Sequence, residues 1–137
     1  MAKQPQVRLR AICLALPEAS EEEMRRGPSF HVVGKIFALY RIADGQKALW
    51  CKVPDGAQAM LVEADPATFF VPPYFGSKGW IAMRLDAKPD WREVEAFVRR
   101  SYRLVAPKKL ATLADQITPR LRVWPPPSRS RRRTASR

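Results

Sequence analysis

Ser29-Phe30-His31-Val32-Val33-Gly34-Lys35-Ile36-Phe37-Ala38-Leu39-Tyr40-Arg41-Ile42-Ala43-Asp44-Gly45-Gln46-Lys47-Ala48-Leu49-Trp50-Cys51-Lys52-Val53 is the stretch on which the fold turns. Phe30 and Val32 share one face at a period of two, Gly34-Lys35 reads as a tight connection, and residues 36–42 are rich in β-branched and aromatic side chains. Asp44-Gly45 is a second hairpin signal, after which Leu49, Cys51 and Val53 alternate with Trp50 and Lys52. The pattern predicts three consecutive antiparallel strands with one buried face and one partly wet face.

Outward toward the C-terminus, a short helix is expected over about 56–64, stopped by Asp65-Pro66. Residues 69–76, Phe-Phe-Val-Pro-Pro-Tyr-Phe-Gly, read as a loop, and 80–85 as a further strand with Ile81, Met83 and Leu85 facing one way. Asp90 and Glu93 have capping-box spacing, and Val94, Phe97, Val98, Ser101, Tyr102 and Val105 form the stripe of a helix that Pro107 ends. Residues 110–117 add a short helix. Outward toward the N-terminus, Leu9, Ile12, Cys13 and Leu16 line one side of a first helix, closed by Pro17. Ser20-Glu21-Glu22-Glu23 has the spacing of a capping box, but Arg25-Arg26-Gly27-Pro28 breaks what it begins, so a loop is expected there. The sum is an α+β fold: an antiparallel sheet of about four to five strands, with the N- and C-terminal helices on one face and the other face available.

The chain of 137 residues suits one domain over 1–118. Residues 119–137 differ in kind, with seven arginines and no acid around Trp124-Pro125-Pro126-Pro127. The net charge is +12; taking those seven from the 25 basic residues leaves eighteen against thirteen acids, or +5, on 1–118. Such an arm cannot offset its ordering entropy by burial and is expected to be disordered when free. It suits a polyanion, because each phosphate neutralised releases a condensed counterion. Cys13 and Cys51 lie far apart in apolar segments, which points to reduced core thiols. The apolar stretch 11–16 after Arg8 and Arg10 is too short for a secretory signal, and no apolar run approaches bilayer length, so no membrane association and a cytoplasmic location are expected.

With these segments in place, the chain resembles the MmcQ/YjbR family of small bacterial proteins over about residues 8–110. The resemblance rests on Leu16-Pro17-Glu18, on Gly27-Pro28-Ser29-Phe30 followed by Val33-Gly34-Lys35-Ile36-Phe37-Ala38, and on Asp65-Pro66 with Phe69-Phe70-Val71-Pro72-Pro73-Tyr74. It continues through Gly79-Trp80 and Ser101-Tyr102-Arg103-Leu104-Val105-Ala106-Pro107-Lys108. The resemblance implies a frataxin-like α+β fold and the DNA-binding role the family usually carries. Arg26, where an aromatic commonly precedes the glycine, and the arginine-rich extension depart from the family pattern.

Phosphate oxygens take charge-assisted bonds from lysine and arginine. The candidates on the body are Lys35 at a hairpin tip, Arg41, Lys52 and Arg84 on strands, and Lys78 beside Gly79; those on the tail are Arg129, Arg131, Arg132 and Arg133. The competing account of each is solubility alone. Trp50, Trp80 and Tyr74 could stack on bases, but packing at a core edge is favoured for them. His31, without a second imidazole, is expected to fill a sheet position rather than bind metal. Glu21, Glu22 and Glu23 fit helix capping better than an iron-binding ridge, and Ser101 sits on an apolar stripe with no base placed beside it in sequence. The expectation is a non-enzymatic DNA-binding protein with little sequence preference, without catalytic residues, cofactor or metal, and with RNA as an alternative polyanion. A protein or small-ligand interaction module using the aromatic and proline-rich loop 69–80 is the rival.

Overall fold

The computed structural model describes residues 4–43, 45–86 and 88–117. Six strands form one antiparallel sheet: β1 (Ala19–Glu22), β2 (Ser29–Val32), β3 (Lys35–Ala43), β4 (Gln46–Lys52), β5 (Phe69–Phe70) and β6 (Trp80–Arg84), in the order β1-β2-β3-β4-β6-β5. Helices α1 (Pro5–Leu14), α2 (Ala57–Ala64), α3 (Trp91–Val105) and α4 (Lys108–Ile117) complete the α+β architecture. None of them is long and apolar enough to cross a membrane.

The period-two reading of β2 to β4 holds, but the first turn is Val33-Gly34, not Gly34-Lys35. Both turn residues have positive φ, 49° and 78°, as the two-residue hairpin that matches strand twist requires. Lys35 becomes the first residue of β3. Phe30 pairs with Ala38 and His31 with Ile36, so Phe37 is an extra residue in the ladder, and Phe37 and Ala38 both join the helix-side core.

That core gathers Leu9 and Cys13 from α1, alternate residues Leu49, Cys51, Ile81 and Met83 from the sheet, and Val94, Phe97, Val98 and Tyr102 from α3. Ser101 stitches α3 to the sheet: its hydroxyl donates to the Phe37 carbonyl at 2.6 Å and accepts from the Lys52 amide at 2.9 Å. Tyr102 Oη donates to the Pro17 carbonyl at 2.7 Å. The stripe residue that could have been read as a nucleophile is thus a clamp beside the bulge. Asp90 caps α3 by accepting from the Arg92 amide at 3.0 Å. Cys13 and Cys51 are free and buried, as expected, and burial raises both thiol pKa values, with their mutual repulsion adding to Cys13.

Two segments correct the sequence reading. Residues 19–22 form a strand rather than a capped turn, because pairing with β2 satisfies backbone groups that a lone helical turn would leave open. Glu21 then meets Arg10 at 2.6 Å and Glu22 approaches His31, so these carboxylates cap no helix. Phe69-Phe70, expected in a loop, pairs with Met83 and Ala82 of β6. The proposed boundary at 118/119, the tail's disorder, and tail candidates Arg129, Arg131, Arg132 and Arg133 lie outside the described residues.

Candidate functional site

Alternation along a strand sends every second side chain to the sheet face away from the helices, and register sets which of them meet. Arg41 of β3 lies opposite Ala48 of β4, which lies opposite Arg84 of β6. The next row runs Leu39, Trp50, Ala82, Phe70 across four strands. A small alanine flanked by two arginines, beside a Trp-to-Phe row, leaves a hollow. At roughly 4.8 Å per strand spacing, the two arginine backbones stand about 10 Å apart.

The hollow is a cleft of about 290 Å³ lined by Arg26, Arg41, Ala48, Trp50, Phe70 and Arg84, with Ile42, Gln46 and Pro73 at its edges. Among the described residues, three arginines line it and no carboxylate does. Arg41 is only 9% exposed. Its Nη1 donates to the carbonyls of Gly27 at 3.0 Å and Tyr40 at 3.1 Å, and its guanidinium carbon lies 5.9 Å from the Trp50 ring centre. Burial and the neighbouring Arg26 charge lower its pKa, although a guanidinium stays protonated in proteins. Arg84 lies 4.6 Å from the Phe70 ring centre and donates through Nη1 to the carbonyls of Pro66 and Ala67 at 3.1 and 3.2 Å.

Arg26 is carried to the cleft by its neighbour. Gly27 has φ of +135°, and a Cβ there would come within 2.2 Å of the Tyr40 carbonyl oxygen, so only glycine lets this loop lie so close on β3. On the other flank, residues 71–79 fold over the sheet. Phe75 packs against Trp50 at 6.0 Å and Trp80 at 4.9 Å between ring centres, and Gln58 of α2 donates to the carbonyls of Gly76 and Trp80. Leu39, Ala48, Trp50, Trp80 and Ala82 are buried in consequence. The face expected to be partly wet is therefore largely covered, and the cleft is its open part.

Packing, the favoured account of the aromatics, fits Trp50 and Trp80. Tyr74 differs, with 72% exposure. Its φ and ψ of 66° and −60°, with the Phe75 amide bonded to the Pro73 carbonyl, make a γ-turn of the rarer, strained hand. Lys78 Nζ sits 4.9 Å from the Tyr74 ring centre. Trp50 retains one unusual group: its indole N–H is buried and has no hydrogen-bond partner among the described residues.

Of the sequence candidates, the fold unites Arg41 and Arg84 and places Lys78 on the adjoining loop. Lys52 lies opposite Trp80 at the other end of β4, and Lys35 is exposed beside the Val33-Gly34 turn, so neither lines the cleft. Sequence reasoning missed Arg26 and the role of Phe70; Arg26 next to a glycine-proline turn was the available signal. At the opposite sheet edge, His31 Nε2 lies 2.8 Å from Ser29 Oγ and 3.3 Å from Glu22 Oε1. Because serine and carboxylate share one ring nitrogen and Ser29 is fully buried, the trio ties β1 to β2 and lacks the relay geometry of a nucleophilic site. Among the described residues no group of three or more His, Cys, Asp or Glu side chains could hold a metal ion.

A protein-family model described as YjbR matches residues 14–104. No curated protein matches the chain. Among solved structures, the crystal structure of a Deinococcus radiodurans protein with a DUF419 domain aligns with a TM-score of 0.63 at 24% identity, covering 80% of this chain and 83% of that one. At that identity the likeness shows the fold.

Proposed function

The chain belongs to the YjbR family, and from that premise we propose that it is a non-enzymatic nucleic-acid-binding protein whose sheet face opposite the helices contacts the phosphate backbone. The observation that carries this reading is the cleft: Arg26, Arg41 and Arg84 converge, with no carboxylate among the described residues lining it. Like charges brought together by folding, one of them nearly buried, repel unless an anion joins them. Lys78 extends the positive surface onto the adjoining loop. The seven tail arginines add affinity that needs no base recognition. Two free thiols suit a reducing, cytoplasmic setting.

The test is a titration of the full chain with DNA and RNA at several salt concentrations. Each phosphate contact contributes about 0.9 to the slope of log K against log salt, so deleting 119–137 should flatten the slope by about six if all seven arginines engage. The deleted form should keep a residual slope of about two to three from the cleft. Indifference to polynucleotides in dilute buffer would sink the reading.

A second reading has one observation in its favour. Phe70 and Pro73, both from the aromatic and proline-rich segment, line the cleft, which is the size of a small-molecule site. A small aromatic anion bound there, with no salt-sensitive polymer binding by the body, would select that reading.

A further inference from the structure

We propose that the cleft takes one unpaired nucleotide of a single strand, its base against the Trp50 and Phe70 floor and its phosphate on Arg26, Arg41 and Arg84. This inference rests on the nucleic-acid reading and narrows it to unpaired strands. Four features carry it.

The first is shape. Duplex readers push a convex helix or ribbon into a groove, whereas this site is a hollow set into a sheet. A hollow accepts something that protrudes, and a base protrudes from a nucleic acid only when it is unpaired. The second is size. Ligand cavities run from about 300 to 1,000 Å³, and at about 290 Å³ this one holds a single planar group, too little for a peptide helix or a duplex edge.

The third is the pairing of chemistries. The floor is aromatic and apolar, and a stacked duplex hides the base faces that such a floor would contact. The rim is cationic with unused donors: among the described residues, Arg41 and Arg84 each bond to backbone carbonyls through Nη1, leaving the rest of a five-donor fork for phosphate oxygens.

The fourth is Tyr74. A strained backbone holds this ring out in solvent, and strain of this kind persists where the surroundings enforce it for use. Tyr74 follows Pro73, which lines the cleft, so the ring stands one residue away from the site. With Lys78 at 4.9 Å from its ring centre, it offers a stacking platform and a cation for the neighbouring nucleotide. The footprint is then two consecutive nucleotides, one in the cleft and one on Tyr74.

The experiment measures fluorescence anisotropy of the full chain with a labelled single-stranded dodecathymidylate and with a blunt duplex of the same length, at one low salt concentration. Competition by thymidine 5′-monophosphate forms a third arm. Variants are Tyr74→Ala and the pair Arg26→Gln with Arg84→Gln, all at exposed or half-exposed positions, with thermal melts to confirm folding. The single strand should bind at least tenfold more tightly than the duplex. Tyr74→Ala should weaken single-strand binding about tenfold, the scale of one lost stacking contact, and duplex binding less than twofold.

If either variant weakens both polymers by the same factor, or leaves single-strand binding unchanged, the unpaired-nucleotide site is overturned while nucleic-acid binding stands. If the monophosphate binds but the strand does not displace it, the cleft serves a free nucleotide and the strand assignment falls. If neither polymer binds at low salt, the broader reading fails and takes this one with it.

Discussion

The two faces of the sheet are built from the same three central strands, yet they do different things with burial. On the helix side, Tyr40, Leu49, Cys51, Ile81 and Met83 meet α1 and α3 in a closed apolar core, and the Ser101 hydroxyl that enters it has both a donor and an acceptor partner. On the far side, Leu39, Ala48, Trp50, Trp80 and Ala82 are as thoroughly buried, but under a loop, beside three arginines and an indole N–H that have no carboxylate and no hydrogen-bond partner, respectively, among the described residues there. One face closes on its own helices; on the function proposed above, the other is completed by a bound polyanion. The contrast teaches where stability and binding should separate under mutation.

The largest loss should come from emptying the closed face. Phe97, 2% exposed and 5.3 Å from Phe69 between ring centres, should cost about 3–5 kcal/mol when changed to alanine, measured by denaturant unfolding. A smaller loss than that of Phe75→Ala, on the half-buried far-side loop, would break the contrast. Ser101→Ala comes next, at about 2–3 kcal/mol, because it strands the Phe37 carbonyl and the Lys52 amide together.

A pH effect of intermediate size belongs to the same face. Burial raises the Cys13 and Cys51 pKa values above their ordinary 9.0, so the folded state holds protons that the unfolded chain releases first. Their contribution is fully present below about pH 9 and is lost as pH rises from there toward the folded values, at about 1.4 kcal/mol per pH unit for each thiol. Unfolding midpoints at pH 8 and 10 for the chain and for Cys51→Ala check this; the variant should lose less on going to the higher pH. The smallest stability effect should fall on the open face. Arg26→Gln removes a cation that repels Arg41, and stability should stay level or rise by less than about 0.5 kcal/mol, while affinity for nucleic acid drops. A clear loss of stability would mean that Arg26 is structural.

The closed face was readable from sequence because period-two and helical stripes group residues onto shared faces: Phe30 with Val32, Leu49 with Cys51, Ile81 with Met83, and Phe97 with Tyr102. The open face was less legible. Arg41, Ala48 and Arg84 sit 7 and 36 positions apart, and only the register of two strand pairs puts them in one row. Register depends on pairing energy across the sheet, which no local pattern encodes. The strand at 19–22 was missed for a related reason: its acids resemble a helix start, and only the partner strand turns Ser20-Glu21-Glu22 into a ladder. Tyr74 escaped because proline-rich surroundings suggest packing, whereas the γ-turn that lifts it out is a backbone property.

The ends of the sheet order carry a last consequence. The outermost strands, Ala19–Glu22 and Phe69–Phe70, are four and two residues long, and the longer of them bears adjacent acids. Short, charged margins give a second molecule almost nothing to zip onto. If the proposed nucleic-acid binding gathers many copies along one polyanion, these margins should pack neighbours side by side as separate beads instead of seeding fibrils.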